Sequence, residues 1–208
     1  MTSPICTYDF TLKADSLTHQ DIIDTRVDGP WRDTDEVKVL TRQLKQFMTY
    51  ELYDWQKEII GLTQSIDDRS IKLIYDQHGN NGKSMLCEFL EYRGLAYKVP
   101  PFRQMEDLMQ CVMEIKTYPC YIVDMPRGMK KDKLSEFYAG LESIKNGIAY
   151  DKRYHFRKKR FDSPQVLVFT NVLPIMDLLS KDRWEIYEMT PEKSLRRQAC
   201  NTEETSFF

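Results

Sequence analysis

Five short, almost unbroken apolar runs alternate along the chain with longer stretches whose apolar positions recur every three or four residues. The runs are Ile71–Tyr75, Leu95–Val99, Cys120–Asp124, Val166–Asn171 and Trp184–Met189. Each is strand length, and none alternates apolar with polar residues as a half-solvated strand would. Between them, Ser84–Leu90, the set Met105, Leu108, Met109, Val112 and Met113, and the set Leu134, Phe137, Tyr138, Leu141 and Ile144 each mark one face of a helix. Two further amphipathic helices precede the first run: one from Glu36 aligning Val37, Leu40, Leu44, Phe47 and Met48, another aligning Trp55, Ile59 and Leu62. Strands that are apolar on both faces and alternate with helices predict an α/β fold, a parallel sheet with helices on both faces. The two leading helices can cap this sheet or pack against a neighbouring subunit; the pattern allows both.

Polar chemistry is concentrated where the runs end. After Ile71–Tyr75 the chain reads Asp76-Gln77-His78-Gly79-Asn80-Asn81-Gly82-Lys83-Ser84 and then turns helical. Strand, glycine-containing loop ending in Gly-Lys-Ser, and helix together predict a P-loop. Gly79, Asn80, Asn81 and Gly82 would bring backbone N–H groups round phosphate oxygens at the positive end of a helix. Lys83 would reach the β- and γ-phosphates of ATP, and the Ser84 hydroxyl would hold Mg²⁺. Gln77 stands where the strict signature has its first glycine. A chance Gly-Lys-Ser in a turn would lack both flanks.

In open parallel sheets ligands bind at the carboxyl ends of the strands. Asp124 ends the third run, where a carboxylate can hold Mg²⁺ with Ser84 and orient an attacking water; otherwise it caps the turn after it. Met125 follows, where many ATPases have a second acid. Asn171 ends the fourth run and fits a polar sensor of the γ-phosphate, or else an ordinary turn residue. Arg183 precedes the last run and reads either as an arginine finger reaching a neighbour's nucleotide or as a surface partner of Asp182.

Composition changes this picture in one place. The formal net charge of −2 conceals a basic stretch, Lys145, Lys152, Arg153, Arg157, Lys158, Lys159 and Arg160, against Asp151 alone. Interleaved with Tyr154, Phe156 and Phe161, it reads as a hairpin with Arg157–Lys159 at its turn. It can neutralise phosphates and stack bases of single-stranded DNA without reading sequence. Lys158 and Lys159 are its first candidates, Lys152 and Arg153 its second. The five cysteines contain no Cys-x-x-Cys pair, which fits a reduced intracellular protein without zinc. No apolar run reaches membrane length.

These segments, in this order, resemble the helicase part of the replication initiators (Rep proteins) of small circular single-stranded DNA viruses, among the superfamily 3 helicases. Gly79–Ser84 matches Walker A and Ile122–Arg127 Walker B. Leu141–Gly147 with the basic hairpin matches the B′ motif, Val168–Asn171 motif C, and Asp182-Arg183-Trp184 the segment carrying the finger arginine. The resemblance runs from about Asp24 to Met189. It implies an AAA+-like P-loop NTPase acting as an ATP-dependent DNA helicase. It further implies a homo-oligomer, a hexameric ring whose hairpins line a pore round single-stranded DNA, working in the host nucleus. The organisation it implies is an endonuclease remnant and linker (1–35), a helical oligomerisation segment (36–66), the ATPase domain (67–190) and a polar tail (191–208). Rep proteins begin with a nicking endonuclease needing a His-hydrophobe-His motif and a Tyr-x-x-Lys motif. Neither precedes Trp31, and His19 alone cannot hold a metal, so nicking activity is expected to be absent. Two other readings stand beside this one. One is a non-catalytic companion that binds nucleotide and assembles with full-length initiator; the other is an RNA helicase.

Overall fold

A computed structural model describes residues 39–102, 104–125, 131–153, 155–173 and 175–198. The expected endonuclease remnant, Pro126 and Arg127 of the Walker B match, Tyr154 and the end of the tail lie outside these residues. The elements are α1 (Arg42–Phe47), α2 (Asp54–Thr63), β1 (Ile71–Tyr75), α3 (Lys83–Tyr92), β2 (Tyr97–Val99), α4 (Met105–Glu114), β3 (Cys120–Asp124), α5 (Lys131–Lys145), β4 (Ile148–Asp151), β5 (Arg157–Arg160), β6 (Gln165–Thr170), β7 (Trp184–Met189) and β8 (Leu195–Gln198). Two 3₁₀ turns, Met176–Leu178 and Lys181–Arg183, separate β6 from β7.

Six strands form one sheet in the order β2-β3-β6-β1-β7-β8. All neighbouring pairs are parallel except β7 with β8. The fold is therefore α/β, with a mostly parallel sheet covered on both faces in the manner of a P-loop NTPase. The apolar runs explain this directly, because their alternate residues divide between two cores. Leu73, Tyr121, Val123, Val166 and Val168 pack with Leu108, Val112, Phe137 and Leu141 of α4 and α5. Ile74, Ile122, Leu167 and Phe169 pack on the other face with Leu86, Phe89 and Leu90 of α3.

The leading helices belong to this second core. Leu44, Trp55, Ile59 and Ile60 are buried in it, with the Trp55 ring edge-on to Phe169 and Phe47 against Phe89. Of the two arrangements the pattern allowed, the structure shows the first: these helices cover the chain's own sheet. The first helix also starts later than its periodicity predicts. Thr41 accepts a hydrogen bond from the Leu44 N–H at 3.2 Å and caps the helix there, leaving Leu40 outside it.

The expected polar tail contains β8, which adds an antiparallel edge through Arg196–Glu188 and Arg197–Glu185 ion pairs. Between α5 and β6 the chain makes the separate β4–β5 hairpin. It enters through Gly147, at φ +69°, where a Cβ would lie 2.0 Å from the Phe161 carbonyl oxygen, so only glycine fits.

Candidate active site

Three strand ends converge on one cavity. Gly79, Asn80, Asn81, Gly82, Lys83 and Ser84 line it together with Asp124 and Asn171, enclosing about 440 Å³. The loop after β1 reaches this position through left-handed backbone at Gly79, Asn80 and Gly82, the last starting α3 at φ +82°. Glycine supplies that geometry freely, and asparagine is the next most tolerant residue. Ser84, in the first turn of α3, donates from Oγ to Asp124 Oδ2 at 2.5 Å. The Asn171 amide is fixed by donating to the Asp76 carbonyl oxygen at 2.5 Å. Among the described residues lining the cavity Asp124 is the only carboxylate, and Met125 after it is buried.

Asp76 is a site residue to which the sequence pattern assigned no role. Its carboxylate is 1% exposed and takes the Gly79 N–H at 2.8 Å, the Asn81 amide at 3.0 Å and Lys83 Nζ at 2.6 Å. Burial would raise the pKa of such a group. The hydrogen bonds from Lys83, Gly79 and Asn81 outweigh burial and hold it below the usual carboxylate range. Asp76 thus ties the loop, the lysine and, through its carbonyl, the Asn171 side chain into one unit. The available signal was its place: like Asp124 and Asn171, it is a polar residue at the carboxyl end of an apolar run.

Arg183 goes elsewhere. It is 5% exposed, at the opposite end of the strands, and donates to the Arg69 carbonyl at 3.1 Å and Asn146 Oδ1 at 2.9 Å. Its Nε lies 3.1 Å from Glu142 Oε1, near enough to pair in charge although the N–H does not point at that oxygen. The expected partner Asp182 instead pairs with Arg69. Within this chain the guanidinium is a buried clamp, drawn inward by the Glu142 carboxylate, the Asn146 side-chain oxygen and the Arg69 carbonyl. Its partners Glu142 and Asn146, with Lys145 and Gly147, are among the residues matched to the B′ motif. Lys145 is fully buried and donates to the Asp67 and Pro164 carbonyls; burial lowers its pKa to about 8. It is no surface cation.

The hairpin forms, but Arg157–Lys159 lie in its return strand rather than at its turn. Asp151 ends β4 by accepting the Arg153 N–H at 2.9 Å, a side-chain turn that stops the strand early. Arg157, Lys158, Lys159 and Arg160 consequently form the return strand. Asp151 also pairs with the guanidinium groups of Arg153 and Arg157, whose hydrogen bonds hold its carboxyl well below the usual range. Lys159 turns inward and donates to the Ile115 carbonyl at 2.6 Å, meeting the unsatisfied carbonyl end of α4. Lys152 makes an exposed pair with Glu106 at 3.4 Å and sits over the Tyr150 ring. Of the four predicted DNA contacts only Lys158 is exposed without an ion pair among the described residues; Arg160, two residues along on the same face, joins it. At the tip Phe156 is 68% exposed and stacks on Tyr150, centroids 6.5 Å apart.

Among the described residues no helix is long and apolar enough to cross a membrane, and no cluster of three or more His, Cys, Asp or Glu residues could hold a metal.

No protein-family model matches the chain. Among curated proteins it is similar to Para-Rep C10 of the Milk vetch dwarf C10 alphasatellite, 30% identical over 145 residues, covering 68% of this chain and 50% of that protein. It is 33% identical over 141 residues to Para-Rep C6 of the Subterranean clover stunt C6 alphasatellite, covering 64% and 46%. With Para-Rep C9 of the Faba bean necrotic yellows C9 alphasatellite it shares 29% over 158 residues, covering 75% and 54%. The chain spans about half the length of these relatives, and over that span it is related to viral replication-associated proteins.

Proposed function

We propose that this chain is the ATP-hydrolysing motor part of a viral replication-associated protein, coupling ATP turnover to unwinding of DNA. The carrying observation is the convergence of the Gly79–Ser84 loop, Asp124 and Asn171 on one cavity at the carboxyl ends of three adjacent parallel strands. The donor set fits a magnesium nucleotide. A hydroxyl and a carboxylate already 2.5 Å apart are hard oxygen ligands, and the left-handed loop opens backbone N–H groups at the start of a helix.

Ser84 and Asp124 would hold Mg²⁺, which when bound supplies positive charge to the transferring phosphoryl group. Lys83, released from Asp76 to the phosphates, stabilises charge on the same oxygens. Asn171, its amide N–H committed to Asp76, presents its side-chain oxygen to the attacking water. Asp124 orients that water. Lys158 and Arg160, with Phe156 at the tip, form the face of the hairpin assigned to a single strand: cations for phosphates and a ring for a base. A ring of subunits, with nucleotides at the boundaries, and the host nucleus as the place of work belong to the same reading.

Gln77 and Met125, which stand where richer motifs have a glycine and a second acid, favour one alternative, a companion that binds nucleotide without turning it over and assembles with full-length initiator. The deciding experiment is ATP turnover by the isolated chain with Mg²⁺, alone and with single-stranded DNA or RNA. The motor reading expects turnover, raised by DNA more than by RNA. Binding without turnover would support the companion, and stronger stimulation by RNA an RNA helicase.

A further inference from the structure

A second cavity, of about 480 Å³, lies between the first turn of α2 and the β7–β8 turn; Tyr53, Lys57, Pro191 and Lys193 are among its walls. One side chain joins it to the phosphate loop. Gln56 accepts the Tyr53 N–H through Oε1 at 3.0 Å, and its Nε2 would stand 3.6 Å from a Cβ on Gly82. The groove therefore begins one side chain away from the loop.

Strand order gives the groove a direction. Asp124 and Asn171 follow β3 and β6, on one side of β1; β7 lies on the other side. A nucleotide with its terminal phosphoryl group towards Asp124 and Asn171 must run its other end towards β7. Tyr75 and Glu188 are in register, so the end of β7 and its turn into β8 emerge beside the loop.

That turn is fixed in place. The Trp55 N–H, in the first turn of α2, donates to the Lys193 carbonyl at 3.2 Å. The Thr190 N–H donates to the Ser194 carbonyl at 2.9 Å, and Lys193 itself is left-handed at φ +60°. Together these hold the Lys193 ammonium 3.7 Å above the centre of the Tyr53 ring, whose residue is 44% exposed. The groove thus offers a half-exposed aromatic ring with the Lys193 ammonium over it, beside a Lys57 already paired with Glu51 and Asp54, at the distal end of the phosphate site.

We propose that this groove receives the nucleobase of the nucleoside triphosphate, with Tyr53 as its stacking surface and Lys193 moving aside from the ring to flank it. The assignment rests on the proposed nucleotide reading of the Gly79–Ser84 loop. It divides the ligand between two separately removable parts, phosphates on the loop and base in the groove.

The test is a titration of the full chain, in Mg²⁺, with ATP and with inorganic tripolyphosphate, which has the phosphates and no base. Tyr53→Ala removes the ring but keeps the backbone N–H bound to Gln56. Lys193→Asn keeps a residue that tolerates the left-handed turn. Tyr53→Ala is expected to weaken ATP binding about tenfold, the scale of one base–aromatic stack, and to leave tripolyphosphate unchanged. Lys193→Asn should leave ATP binding unchanged or shift it less. Unchanged ATP binding in Tyr53→Ala, or an equal loss for ATP and tripolyphosphate, would overturn the groove while leaving the loop assignment standing. If the wild-type chain bound neither ligand, the loop assignment would fall and take the groove with it.

Discussion

The two ends of the parallel sheet use the same residue types for opposite purposes. At the carboxyl ends of the strands, Lys83, Asp124, Ser84 and Asn171 border an open cavity, and Ser84 is exposed beside Asp124. At the amino ends, Lys72, Lys145 and Arg183 are buried and matched to Asp67, Gln165, Glu142 and backbone carbonyls. A buried cation whose charge and hydrogen bonds are met only by groups of the protein is held in place by the penalty for leaving those groups unmatched. One whose partner can be exchanged for a ligand is chemically available. Lys83 meets that second condition: it has one carboxylate partner, the buried Asp76, and itself lines a cavity that can admit phosphate. Residue identity therefore says less about role than the end of the strand at which the residue stands.

Removing Arg183 should produce the largest effect at the structural end. Arg183→Ala leaves Glu142, Asn146 and the Arg69 carbonyl without their shared partner. Breaking a buried charge network of this kind costs about 3–5 kcal/mol, visible as a lower urea midpoint. If the variant melts like wild type but loses turnover restored by mixing with Lys83→Ala subunits, Arg183 works across a boundary and the contrast fails for that residue.

The hairpin contains both kinds of cation on one strand, which sharpens the comparison. Replacing Lys158 and Arg160 by Ala should weaken single-stranded DNA binding and flatten the slope of log affinity against log salt by about 0.7 for each phosphate no longer neutralised. Lys159→Ala should instead lower stability, through the unmatched Ile115 carbonyl, and leave the slope alone. Equal slopes for both variants would make this strand a solvated surface.

The smallest expected effect is a pH dependence at Lys145. Burial sets its folded pKa at about 8, below the ordinary lysine value of about 10.4. Below the folded value both states are protonated and the cost of burying the charge is present in full. Between the two values the folded chain releases a proton that the unfolded chain retains, so stability rises with pH. The neutral amine keeps two N–H groups, enough for the Asp67 and Pro164 carbonyls. Urea midpoints of wild type and Lys145→Met, compared across that window, should diverge in favour of wild type as pH rises. Parallel curves would mean that Lys145 titrates alike in both states.

Much of the open end was legible in the sequence because strand ends announce themselves: an apolar run stops and a polar residue begins. Gly79–Ser84, Asp124 and Asn171 stand out in this way, and the structure brings them to one cavity. Asp76 shares that position, but the glycine pattern after it carries the stronger signal and masks it. The closed end was not legible. The partners of Arg183 come from a loop before β1 and from the end of α5, and nothing local to Asp182-Arg183-Trp184 encodes them. The hairpin's turn differs from its expected place for a local reason, since the Asp151 side chain stops β4 before the aromatic–cation alternation ends. The destination of α1 and α2 was undecidable from periodicity, which shows that a face is buried and not what covers it.

Lys83 is either an available cation at a phosphate site or another buried structural lysine. Calorimetric titration of Mg–ATP into wild type and Lys83→Ala, with the melting temperature of each recorded without nucleotide, tests this directly. Wild type should bind in Mg²⁺ and more weakly in EDTA. In Lys83→Ala affinity should fall by about 100-fold, the scale of removing one charge-assisted hydrogen bond to phosphate, with only a small change in melting. Equal affinities in the two proteins, or a variant that melts as far below wild type as Arg183→Ala does, would contradict its role as an available cation.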